Sequence, residues 1–412
     1  MDTRDLIPHL FRTEYRKIVS VLGKRFGFEH LETAEDITSD TFLTATQSWG
    51  VEGIPDNPTA WLYHVAKNKA LNFLHRQNHF DKKISADLES DSPKESLPDV
   101  DLSPQNIIDS QLKMMFAICH PTLSQEAQIG LSLRILCGFG IEEIANAFLT
   151  NKDTINKRLF RAKQSLRNAK IHTDLEDLDI NDRLPSVIKT VYLLFNEGYY
   201  SISHAQTLRK DLCLEAMRLC TMLIENETTN TSEVNALLSL MCFHFSRFES
   251  RVSIEGEIIL YNEQDISLWN TDLISKGGYF LNRAMSGDRV SKYHLEAAIA
   301  YWNCQPIDSN VKWENILHLY NQLLQIDYSP AAALNRTYAL SKAKGKESAL
   351  LEAEKLELHD NQFYFALLGE LYTDINNKKA KLNLAKAIGM AKSPADRNAL
   401  QKKIDKIEHR QS

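Results

Sequence analysis

Along almost the whole chain, apolar residues recur at intervals of three and four, and little interrupts them. Leu6, Leu10, Tyr15, Ile18, Val19 and Leu22 form the first such stripe, the spacing of one helix face. Fifteen Gly and eleven Pro in 412 residues are too few to punctuate arrays of short strands. The expected fold class is therefore all-α. With 43% hydrophobic and 25% charged residues, the chain is expected to bury a core rather than stay disordered. Its length suggests two to three domains at roughly 150 residues each.

The first residues, Met1-Asp2-Thr3-Arg4-Asp5, lack the basic-then-apolar order of a secretory signal. No apolar run approaches the ~18 residues of a spanning helix. Cys119, Cys137, Cys213, Cys220, Cys242 and Cys304 sit within apolar helical patterns, without a CxxC pair. They read as free buried thiols in a reducing compartment. The expected location is the cytoplasm, with no membrane partner, metal or cofactor.

The one clear linker is 84–104, rich in Ser, Pro and acids. A second polar, acidic stretch covers 172–182. The expected domains are then 1–83, the acidic linker 84–104, 105–170 and 184–410. Net charge is −6, which argues against a long-range basic field, but the signs are segregated. Residues 29–40 carry Glu29, Glu32, Glu35, Asp36 and Asp40 and no base. Residues 60–83 carry Lys67, Lys69, Arg76, Lys82 and Lys83 against Asp81 alone. Residues 152–170 hold seven bases against Asp153. Patches of opposite sign suit a protein with two kinds of partner.

In the first segment a helix is expected over 36–49, a loop over 50–58, and a helix over 60–76 capped by Thr59. The second segment has helix-turn-helix spacing. A helix over 126–137 is broken by Gly138-Phe139-Gly140, a short helix covers 141–148, and a basic helix runs over 152–169. Ile144, Ala145, Phe148, Ile155 and Leu159 stand where the two short helices must cross. Beyond 304 a repeat emerges, Ile316-x3-Tyr320-x2-Leu323 returning as Ala349-x3-Ala353-x2-Leu356 and Ala380-x3-Leu384-x2-Ala387. Phe365-x2-Leu368-Gly369-x2-Tyr372 supplies a first-helix pattern of the tetratricopeptide kind.

Three motifs in order make the resemblance specific. Asp36-Ile37-Thr38-Ser39-Asp40-Thr41-Phe42-Leu43 resembles a core-binding helix. Trp61-Leu62-Tyr63-His64-Val65-Ala66-Lys67-Asn68-Lys69-Ala70 resembles a promoter −10 helix. Thr154-Ile155-Asn156-Lys157-Arg158-Leu159-Phe160-Arg161-Ala162-Lys163 resembles a −35 recognition helix. Together they resemble bacterial RNA polymerase sigma factors of the extracytoplasmic-function type. The chain is further similar to a subgroup with a long C-terminal helical, tetratricopeptide-like extension. The segments Tyr192-Leu193-Leu194-Phe195-Asn196-Glu197-Gly198-Tyr199, Tyr293-His294-Leu295-Glu296-Ala297-Ala298-Ile299-Ala300 and Ala333-Leu334-Asn335-Arg336 carry that likeness.

The resemblance implies a helical region 2 domain, a helix-turn-helix region 4 domain and an α-solenoid-like C-terminal domain. It implies core RNA polymerase (clamp coiled coil and flap) and promoter DNA as partners. Glu35, Asp36, Asp40 and Phe42 are the expected polymerase contacts. Trp61, Tyr63, Lys67, Asn68, Lys69, Asn72 and Arg76 are the expected −10 and melting residues, because unstacked bases need aromatic faces, amides and a cationic path. Lys152, Thr154, Asn156, Lys157, Arg158, Arg161 and Lys163 are the expected −35 contacts, from a helix whose early side chains reach base edges. No residue is expected to be catalytic. The acidic linker reads either as a flexible tether or, as the resemblance favours, as a segment that follows a path normally occupied by RNA.

Residues 184–410 carry no phosphate loop, metal cluster or nucleophile motif. Stacked helix pairs present concave surfaces for proteins or peptides, so this region is expected to regulate through such a partner. The alternative reading is a stand-alone helix-turn-helix regulator with a repeat domain that senses a ligand or peptide. A third, an enzyme using Glu197 or His294, is disfavoured because helix-helix hydrogen bonding explains both.

Overall fold

The computed structural model describes residues 3–85, 100–169, 177–200, 206–251, 259, 261–287, 289–391 and 394–409. Residues 86–99 of the acidic linker and 172–176 of the second polar stretch lie outside the described residues. Among the described residues every regular element is helical. None of these helices is long and apolar enough to cross a membrane. The chain divides into two compact units, Met1–Thr229 and Asn230–Ser412.

The first unit opens with α1 (Thr3–Phe26), α2 (Leu31–Glu52) and α3 (Pro58–Ser85). The apolar stripe of α1 is its buried face: Tyr15, Ile18, Val19 and Leu22 are buried, as are Leu31, Ala34 and Phe42 of α2, on which α1 packs. Helix α2 runs past the expected end at 49 and stops at Gly53, whose φ is 91°. Helix α3 starts at Pro58, a residue preorganised for a first helical position. Its cap is Asn57, whose Oδ1 accepts from the Ala60 amide at 3.0 Å, and Thr59 is inside the helix.

Next come α4 (Pro104–Ile118), α5 (Gln125–Leu131), α6 (Ile141–Ala147) and α7 (Lys152–Asn168). The helix expected over 126–137 is α only to Leu131. It widens over Ser132–Leu136 into a π turn closed by the Cys137 amide on the Ser132 carbonyl. Gly138 then reverses the chain with φ of 74°, and a Cβ there would stand 3.0 Å from the Arg12 carbonyl oxygen. Asn151 caps α7 by accepting from the Thr154 amide at 2.8 Å. Ile144, Ala145, Ile155 and Leu159 are buried at the crossing, as helix-turn-helix packing requires.

Helices α8 (Asp177–Tyr200) and α9 (Gln206–Glu225) complete this unit. Sequence spacing groups them with the C-terminal segment, yet they pack with the N-terminal helices, α8 on α4 and α5 and α9 on α4. Thr190 donates to Gln128 Oε1 at 2.8 Å, and Arg218 donates to the Leu136 carbonyl at 2.6 Å. Such ties join residues far apart in sequence and leave no periodic trace.

The second unit contains α10 (Ser232–Phe245), α11 (Thr271–Ala284), α12 (Lys292–Asn303), α13 (Asn310–Ile326), α14 (Pro330–Lys344), α15 (Lys346–Glu354), α16 (Gln362–Tyr372), α17 (Asn377–Met390) and α18 (Pro394–His409). Neighbours in sequence pack on each other, and one apolar core runs from Leu295 to Ile407. The repeated residues Ile316, Leu323, Ala349, Ala353, Ala380, Leu384 and Ala387 all lie in that core. Pro330 and Pro394 open helices. His294 is a buried cap residue: its Nδ1 accepts from the Ser291 amide at 3.1 Å and its Nε2 faces the Ala284 carbonyl at 3.3 Å.

Candidate nucleic-acid and polymerase interface

The acids of α2 divide between two faces, and the division decides what each can do. Asp36 and Asp40 are exposed, together with Ser39 and Leu43. These positions repeat at three and four, so they form one outward strip, with Leu43 55% exposed. Beside it, α1 and α2 line a groove of about 480 Å³ with Pro8, Phe11, Phe42 and Leu43. An acidic strip with one exposed leucine suits a basic, amphipathic partner helix. Leu43 was not among the expected contacts, although its spacing from Asp36 and Asp40 marks it.

Glu35 and Phe42 lie on the adjoining, inner face. Phe42 is buried, its ring edge-on to Phe11 at 5.0 Å. Glu35 is only 7% exposed. Its Oε1 accepts from Arg134 Nε at 3.1 Å, and its Oε2 pairs with Lys163. Arg134 also donates to the Tyr15 hydroxyl at 3.0 Å and the Phe139 carbonyl at 3.3 Å. Burial, then the Glu35 charge, pushes the Tyr15 phenol well above its ordinary range. In this arrangement Glu35 faces the helix-turn-helix and is closed to an outside partner.

The expected −10 residues also divide. Asn68, Asn72 and Arg76 are exposed and recur every four residues, so they line one face over roughly 12 Å. Trp61 is half-buried, edge-on to Trp49 at 5.3 Å between centroids. Lys67 is half-buried. Tyr63 donates to Glu14 at 2.6 Å, and burial followed by that bond pushes its phenol far up. Lys69 is held by Asp40 and by Thr44 Oγ1 at 2.9 Å. The structure thus brings together a polar, cationic strip with an aromatic pair at one end. Tyr63 and Lys69 serve internal bonds.

On α7, Lys152, Thr154, Asn156, Lys157 and Arg161 are exposed. Lys152 pairs with Glu142 at 2.9 Å on the surface, a contact of little worth that a phosphate can replace. Arg158 lies over the Phe148 ring at 5.0 Å. Thr154, Lys157, Arg158 and Arg161 line a groove of about 430 Å³ with Thr122, Leu123 and Ser124. Lys163 sits three turns from the helix start and is taken up by Glu35. Phe160, absent from the expected set, is 60% exposed among these bases. Among the described residues no cluster of side chains is able to hold a metal ion.

A sequence model of sigma-70 region 2 matches residues 10–80, which are α1 to α3. A family of unknown function (DUF6596) matches residues 183–285. An uncharacterized protein of Rhizobium meliloti is 30% identical over 386 residues, covering 92% of this chain and 91% of that one. The ECF RNA polymerase sigma-E factor of Haemophilus influenzae is 27% identical over 139 residues, 32% of this chain and 72% of its own. The RNA polymerase sigma factor YlaC of Bacillus subtilis is 27% identical over 175 residues, 40% of this chain and 93% of its own. No solved structure matches. The chain belongs to the RNA polymerase sigma factors of the extracytoplasmic-function type, and its similarity to the Rhizobium protein covers 92% of its length, well beyond region 2.

Proposed function

We propose that this protein binds core RNA polymerase in the cytoplasm and carries it to promoters with −35 and −10 elements, where it helps to part the strands. The observation that carries this is the pairing of two exposed, complementary surfaces in one compact unit. One is the Asn68, Asn72, Arg76 strip of α3. The other is the Asn156, Lys157, Arg161 face of a capped helix-turn-helix. The first suits unstacked bases and their phosphates; the second suits a major groove.

Asp36, Asp40 and Leu43 are the polymerase contacts in this reading, engaging the clamp coiled coil, while region 4 engages the flap. No reaction is assigned to the protein. The second unit, read as tetratricopeptide-like, regulates through a protein or peptide held on its helix stack. The test is transcription in vitro with purified core polymerase on the host's upstream DNA. Discrete start sites that require the protein support the reading, with loss of initiation for Asn72→Ala with Arg76→Ala. Salt-sensitive binding to duplex DNA without polymerase, and no transcripts, would refute it in favour of a stand-alone regulator.

A further inference from the structure

Two surfaces that promoter recognition needs apart are locked together. Glu35 of α2 is pinned by Arg134 and Lys163 from the helix-turn-helix segment. Glu32 adds a contact to Arg167 at 3.7 Å. The bonds to Glu35 are nearly buried, with side-chain exposures of 9% for Glu35 and 14% for Lys163. Breaking such a pair on one side leaves an uncompensated charge. Region 2 and region 4 therefore resist separation.

A second set of ion pairs comes from α9 of the extension. Arg12 of α1 is bound at once by Glu143 of α6 and Asp211 of α9. One turn on, Arg16 pairs with Glu215 at 2.6 Å, also nearly buried. Glu215 is held in turn by Arg218 at 2.7 Å. Arg12 thus ties the region 2 helix, the helix-turn-helix and the extension together at one point. Helix α9 reaches across both regions as a latch.

Promoter geometry makes this closure a constraint. Elements named −35 and −10 lie about 25 base pairs apart, or about 85 Å along the duplex. In the closed unit α7 is tied to α2 through the Lys163–Glu35 ion pair, far closer than that separation. Recognition of both elements at once is impossible in that state. Ser85 and Val100 are fifteen residues apart in sequence, enough for about 50 Å when extended. The covalent tether allows separation, and the ion pairs oppose it.

We infer that Asp211 and Glu215 of the extension form an autoinhibitory latch, which holds regions 2 and 4 in a closed state that must open before polymerase and promoter bind. The inference rests on the sigma-factor reading above. Its test compares the full-length protein with the double variant Asp211→Asn with Glu215→Gln, both removed from the proposed polymerase and DNA contacts. Affinity for core polymerase is measured by fluorescence titration and the radius of gyration by small-angle scattering. The double variant should bind polymerase between about 5- and 150-fold more tightly, the usual span of such couplings, and should be more expanded. A folded double variant with unchanged or weaker affinity overturns the latch. If the double variant does not fold, Glu215→Arg alone should tighten binding. Adding Arg16→Glu, which restores the pair in reverse, should return it to the original value; equal affinities for the two overturn the latch. Failure of every form, including the wild type, to bind polymerase removes the sigma reading itself and the latch with it.

Discussion

Adjacent glycines on α11 offer a sharp check on the packing of the second unit. A Cβ at Gly277 would stand 2.8 to 3.0 Å from three atoms of the Phe243 ring, whereas at Gly278 it would meet nothing within 4 Å. Phe243 is fully buried on α10 and is hemmed by Tyr301, its ring centroid 5.7 Å away. Both Gly→Ala changes gain the same helix propensity, about 0.8–1 kcal/mol. Gly278→Ala should keep that gain, raising Tm by roughly 2–4 °C per kcal/mol for a unit of this size. Gly277→Ala must also overpack a closed core, at a cost of about 1–3 kcal/mol, for a net change between about zero and a 2 kcal/mol loss. The gap between the two variants isolates the overpacking, since their effects on the unfolded chain cancel. Calorimetry of the full-length protein reads it directly. Equal upward shifts would refute the close approach of α10 and α11, and the gap should shrink in a Phe243→Leu background.

Other consequences are as definite. Asn156→Ala should cost holoenzyme about 1–3 kcal/mol on its own promoter and relax preference at one −35 position. Arg161→Ala should weaken binding across sequences and reduce the salt slope by about one; the reverse pattern would exchange their roles. All six cysteines are buried and outside any disulfide, and burial pushes the thiols of Cys119, Cys137 and Cys242 up to about 12. A thiol reagent at neutral pH should therefore modify none in the native protein and all six after denaturation. Burial also lowers the pKa of His244, helped by Arg247 and Arg251, and that of His294, partly offset by its bond to Ala284. The stability each contributes is therefore present above the unfolded value of about 6.5 and is lost as pH falls below it. Chemical denaturation at pH 7 and pH 5 should show this loss, smaller in His244→Phe; identical curves would refute it.

Much of the first unit is legible in the sequence because helical periodicity is a local property. The stripe from Leu6 to Leu22 predicts the buried face of α1, and the breaks at Gly138 and Asn151 predict the helix-turn-helix. The exposed residues Asn68, Asn72 and Arg76 follow from spacing alone. Local chemistry misleads where two residues offer the same cap: Thr59 is the usual type, yet Asn57 with Pro58 after it starts α3. Phe42 shares a motif with the exposed Asp36 and Asp40 but lies on the inward face, against Phe11.

The sequence by itself determined most of the helices, the thiol state and the family, since each depends on residues within a few turns or on a motif in order. Only the tertiary structure decided which charges are free. Glu35 and Asp36 are neighbours of the same sign, yet one is sealed by Arg134 and Lys163 while the other faces solvent. Likewise α9 follows the region 4 helix in the chain but closes onto region 2 through Arg12 and Arg16, 199 residues from their partners. Ion pairing depends on distance in space, which falls off within a few ångströms and has no period along the chain.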